Sequence, residues 1–218
     1  GGVRPLTTMQ LAMRSEPPAS VMRSSSTLRI LYISLDFSNW AGAKEWTYLS
    51  NLSIEEGFAA SGVEFLTIPL IYGISAEIPA SWLYHAKTLC AGREFDQVWI
   101  ELVHGNPGED ILEWLISLAP VRLGILLESL SYDQEDYQLH PGLFKRRLVV
   151  EERLRYMTHA VTVDEKDADD LNRRGIVKAM WRPESVPSWC LANAPNDLPR
   201  DRAIFYGASY GTQKRWLL

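Results

Sequence analysis

The side chains of this sequence best suited to chemistry sit in three stretches, each directly after a short apolar run. "VHGNPGED" (103–110) carries His104, then glycine, then the proline and acids that open helices. A histidine there can hydrogen-bond a sugar hydroxyl or a phosphate and, at its ordinary pKa, exchange a proton near neutrality. Its plainer reading is a turn histidine capping the next helix. Glu101, within the preceding apolar run, is the alternative inward-pointing group. "ESLSYDQEDYQLHP" (128–141) is acidic and aromatic. There Glu128, with Tyr132 and Asp133 nearby, can form a polar-aromatic sugar platform, and a carboxylate can serve as a general base. The sequence names no partner acid, and a polar surface loop is the alternative. "DFSNWAGAK" (36–44) offers Asp36 at a strand tip, the aromatic Trp40, and Gly42, where backbone can approach a ligand at a helix N-terminus. It is neither a G-x-G-x-x-G nor a phosphate-binding P-loop, and as an ordinary strand-to-helix turn it needs no ligand.

Other chemistries find no pattern. No His, Cys and Asp residues have metal-ligand spacing, and no G-x-S-x-G or Cys–His pattern announces a nucleophile. His85 and His159 read as packing or surface residues and His140 as a loop residue. The two cysteines, Cys90 and Cys190, stand a hundred residues apart in unlike contexts. They predict reduced thiols in a cytoplasmic setting.

The elements that must position these residues alternate along the chain. Apolar, β-prone runs at 28–35, 63–70, 96–102, 121–129, 160–163 and 177–181 read as buried strands. Between them, helices are predicted over 43–62, 79–92, 107–120, within 141–157 and over 164–175. Strands alternating with helices predict βαβ crossovers, hence an α/β, doubly wound, mostly parallel sheet of Rossmann type. Ligands of such sheets sit at the carboxyl ends of the strands, where all three stretches fall. Residues 1–27 read as a flexible arm, 28–186 as the Rossmann-like domain, and the Pro-, Asn- and Asp-rich 187–202 as a linker. Residues 203–218, "AIFYGASYGTQKRWLL", restart the strand-turn-helix theme.

Composition narrows the partners. A net charge of −5 argues against nucleic acid as the main partner, which needs a basic surface. The most basic stretch, "FKRRLVVEERLR" (144–155), is diluted by Glu151 and Glu152 and reads as a solvated helix face. No apolar run reaches the ~18–20 residues that span a bilayer. Eight Trp and nine Tyr suit a core first, and sugar- or protein-binding surfaces second.

The closing residues add a resemblance. "THAVTVDEKDADDLNRRGIVKAMWRPESVP" (158–187), with its W-x-P-x-x-V run, followed by "AIFYGASYGTQKRWLL" (203–218), resembles GT-B glycosyltransferases of the spore-maturation type. In those proteins the second domain opens with F-x-G-x-x-Y and then a basic residue. Phe205, Gly207 and Tyr210 match, and Lys214 or Arg215 follows one or two positions later than the pattern. The resemblance implies a transferase that takes a sugar from a nucleotide-sugar donor; no other cofactor and no metal are expected. Its N-terminal domain would hold a sugar, glycan or glycosylated-protein acceptor. His104, Glu128 or Asp36 would then be the group that faces the transferred sugar, and Asp36, Trp40, Gly42 and Tyr132 would hold the acceptor. Gly207, Tyr210, Lys214 and Arg215 would bind the donor phosphates in a second domain of which this chain holds only the start. On that reading the chain alone is a catalytically silent fragment. The competing expectations are a non-catalytic α/β interaction or regulatory domain, and a receiver-type phosphoacceptor domain, for which Asp36 lacks the usual acidic pair.

Overall fold

The computed structural model describes residues 27–36, 49–71, 73, 76–183 and 188. The expected arm, linker and terminal strand-turn unit therefore lie outside the described residues, apart from Thr27 and Ser188.

The observed elements are β1 (Arg29–Asp36), α1 (Leu49–Ala60), β2 (Glu64–Ile71), α2 (Ala80–Cys90), β3 (Gln97–Glu101) and α3 (Glu109–Leu118). They continue with β4 (Val121–Leu126), α4 (Gln134–Leu139), α5 (Pro141–Leu154), β5 (His159–Thr162), α6 (Glu165–Arg173) and β6 (Lys178–Trp181). All six strands pair in parallel, in the order β2-β1-β3-β4-β5-β6. The chain thus steps outward from β1 to β2, crosses back to β3, and winds the other way. This is the doubly wound α/β fold that the strand-helix alternation predicts, and its switch point lies between β1 and β3.

Strand periodicity explains how the core divides. Ile30 and Tyr32 of β1 pack with Ile54 and Phe58 of α1, whereas Leu31 and Ile33 belong to a larger cluster on the opposite face. That larger cluster takes side chains from α2, α3, α5 and α6. Pro69, which cannot donate to a ladder, is tolerated because β2 is an edge strand. Its carbonyl instead accepts from Trp82 Nε1 at 2.7 Å, which ties α2 to that edge. At the end of β1, the buried Asn51 accepts from the Tyr32 hydroxyl at 2.8 Å and donates to the Leu35 carbonyl at 3.0 Å, fastening α1 to the strand.

Three expectations need correction. β4 ends at Leu126, three residues earlier than the apolar run suggests, because Leu127–Leu130 leave the ladder to form the bend that carries Glu128. The stretch 128–141 is not all loop: Gln134–Leu139 forms a short helix, with Asp133 extended at its N-cap position and Glu135 and Asp136 in its first turn. Finally, "FKRRLVVEERLR" is not simply a solvated face, since α5 turns Arg153 into the interior along with Val150 and Leu154.

Candidate functional site

The bends after β3 and β4 meet at the carboxyl edge of the sheet, beside the switch point. The first bend is built around Glu101, which is 1% exposed. Its Oε1 accepts from the Val103 amide at 2.9 Å, and its Oε2 from the His104 and Gly105 amides at 2.8 and 3.3 Å. A buried carboxylate with several amide donors is a stable arrangement, and it coils the backbone around the side chain. Gly105 suits a close approach: a Cβ there would stand 3.0 Å from Leu70 Cδ2 and 3.3 Å from Leu35 Cδ2, so both leucines would have to shift. From the other side the buried Arg153 of α5 donates to the carbonyls of Leu102 (2.9 Å) and Gly105 (2.8 Å) and to Asn106 Oδ1 (2.7 Å). Burial pulls the Arg153 pKa down, opposed by Glu101 and Glu152; a guanidinium remains charged regardless. Asn106 in turn donates to the Ala76 carbonyl at 3.1 Å, and the His104 carbonyl accepts from Gly73 N at 2.8 Å.

The second bend is held as firmly. Leu130 N donates to Asp167 Oδ2 at 2.7 Å, Ser129 Oγ to Asp164 Oδ2 at 2.8 Å, and the Tyr137 hydroxyl to the Leu130 carbonyl at 2.7 Å. Acids at the start of α6 and an aromatic of α4 thereby fix the approach of Glu128.

Between the two bends runs a chain of charge. His104 Nδ1 lies 3.1 Å from Glu101 Oε1, and Nε2 lies 2.9 Å from Glu128 Oε1. Glu128 Oε2 is bonded by Arg146 Nη1 of α5, and Arg146 Nη2 donates to the Tyr132 hydroxyl at 3.1 Å. Burial acts to lower the His104 pKa, but the hydrogen bonds and charges of Glu101 and Glu128 outweigh it and raise the pKa to about 9. The ring is therefore an imidazolium at neutral pH and donates from both nitrogens. It does not exchange its proton near neutrality as a histidine of ordinary pKa would. Burial favours the protonated form of Glu128; His104 and Arg146 overcome this and hold its pKa below the usual carboxylate value. Side-chain exposure is 12% for His104, 11% for Arg146 and 30% for Glu128, so the carboxylate is the member most open to a ligand.

The structure brings together His104, Glu128 and Tyr132, and gives Glu101 the inward position that was its alternative. Asp36 closes β1, half-buried, on the strand adjacent to β3. Trp40, Gly42, Gly207, Tyr210, Lys214 and Arg215 lie outside the described residues. Sequence reasoning missed Arg146 and Arg153. Their signal was spacing: Arg146, Val150 and Arg153 fall at i, i+4 and i+7, one face of α5.

Among the described residues no three His, Cys, Asp or Glu side chains are grouped to hold a metal ion, and no helix is long and apolar enough to cross a membrane. Compared with known proteins, the sequence matches no family model and no curated protein.

Proposed function

We propose that this chain is the acceptor-side half of a nucleotide-sugar-dependent glycosyltransferase of GT-B type, with a neutral sugar hydroxyl as the group it binds. The observation that carries the reading is a polar cluster of balanced charge at the carboxyl edge of the sheet, beside the switch point where ligands of such folds bind. Each cation of the cluster already faces a carboxylate, His104 against Glu101 and Glu128, and Arg146 against Glu128. A phosphate would have to displace Glu128 from one of them. A hydroxyl only needs an acceptor, and a carboxylate with about four lone-pair sites keeps capacity after receiving His104 and Arg146. With its pKa held down, Glu128 orients an acceptor hydroxyl rather than removing its proton. His104 and Arg146 position Glu128, and Tyr132 adds an aromatic wall suited to a sugar ring. The donor nucleotide belongs, on this reading, to a second lobe opening near residue 203.

The test is titration of the full chain with a panel of neutral mono- and oligosaccharides and with UDP and GDP, followed by NMR. Sugars should shift the His104 and Tyr132 resonances, and Glu128→Gln should weaken that binding about tenfold or more, the value of a hydrogen bond to a charged acceptor. Tight binding of a nucleoside diphosphate with no response to sugars would place the donor, not the acceptor, in this domain. A second reading, a non-catalytic regulatory domain, is favoured by the internal pairing of every charge in the cluster. It predicts no response to either class of ligand.

A further inference from the structure

Among the described residues β6 is an outermost strand of the sheet, paired with β5 on one side only. Such an edge presents backbone N–H and C=O groups to any other strand, a standing route to association. Alternation decides which residues present them. Trp181 stands opposite Thr162, and the next amide, that of Arg182, donates to the Thr162 carbonyl at 2.8 Å. The even-numbered residues of β6 therefore turn their backbone toward β5, while Ala179 and Trp181 turn theirs outward. Met180 and Trp181 also expose apolar side chains there.

The middle of this edge is occupied by a side chain. Asn172, in the last turn of α6, lays its amide against Ala179: Nδ2 donates to the Ala179 carbonyl at 2.8 Å, and Oδ1 accepts from the Ala179 amide at 2.9 Å. A carboxamide offers the same donor and acceptor as a peptide unit, so these are the two bonds a neighbouring strand would make. Gly175, at φ 65°, supplies the left-handed residue that ends α6 and returns the chain into β6 beside Asn172. The opposite edge of the sheet meets the same problem differently. On β2 the Glu64 amide donates to the Leu28 carbonyl, so the odd-numbered residues face outward. Pro69 is one of them; it has no N–H, and Trp82 takes its carbonyl.

We propose that Asn172 stands in for a seventh strand and closes β6 against strand addition, whether by a second copy of this chain or by a later segment of it. Lys178, exposed at the start of β6, adds a charge to the same edge. The β-prone run 203–206 would then have to pair elsewhere than at β6. This holds whether or not the transferase reading does.

The test compares the full chain with Asn172→Ala, which removes both bonds, adds no apolar bulk and, at an exposed position, leaves the core intact. Amide exchange at Ala179 should quicken about fivefold to tenfold, the value of one hydrogen bond. In sedimentation the parent chain should keep one mass at all concentrations, whereas Asn172→Ala should form concentration-dependent dimers. Adding Ala179→Pro to Asn172→Ala should return the monomer, because it withdraws the outward N–H as Pro69 does on β2. A chain that associated only because it was destabilised would not be rescued in this way. Unchanged exchange at Ala179 overturns the proposal, since something other than Asn172 would then hold that edge. Quicker exchange with no change in mass overturns it too, because the edge would be safe without the amide. So do equal association of parent and variant, and dimers that survive Ala179→Pro.

Discussion

Arg153 shows at the residue scale how a buried charge can be structural. Its guanidinium supplies three hydrogen bonds to the bend after β3, so removing it strands two carbonyls and an amide oxygen rather than merely deleting a contact. Arg153→Met should lower stability by about 2–4 kcal/mol, read as a fall in the urea midpoint with little change in slope. A loss under ~0.5 kcal/mol would mean that the bend is held by Glu101 alone. His104, Glu128 and Tyr132 were legible because a strand-tip rule points to them without any knowledge of packing. Arg146 and Arg153 were not, because Lys145, Glu151 and Glu152 beside them make the helix look solvated when charge is counted along the chain instead of by face.

At the scale of elements, five helices and six strands could be read from apolar period and breakers, because each apolar run had to find a buried layer. The ends were less legible. The apolar run 121–129 gave no sign that its last residues leave the ladder, since Leu127 and Leu130 remain buried after they do. Nor does composition announce α4, whose six residues are too few for a helical period. Gly124 within β4 has its reason in the packing of α5 against the sheet: a Cβ there would sit 2.7 Å from Leu102 Cδ1, 3.2 Å from Leu154 Cδ2 and 3.3 Å from Met157 Cγ. Gly124→Ala should therefore cost about 1–3 kcal/mol despite alanine's better strand entropy, seen as a lower Tm. In that background Leu102→Ala should cost less than it does alone, a coupling a double-mutant cycle would measure. Additive losses would show that the strand has room to shift.

For the whole molecule the charge cluster sets a pH dependence. The His104 pKa is about 9 in the folded chain against its ordinary 6.5. The folded state therefore binds the proton more tightly, and the stabilisation is fully present below pH 6.5 and lost as pH rises through about 9. The difference corresponds to about 3 kcal/mol. Urea midpoints should decline across that window, and His104→Gln should flatten the decline; an unchanged slope in the variant would assign it to other groups. One further consequence follows from Glu101, whose single carboxylate both coils the backbone of 103–105 and receives the imidazole. Shape and charge at that corner are written by one residue. In an evolutionary series the ring is the exchangeable partner, since another donor could take its place, whereas losing Glu101 would have to coincide with a redrawn corner.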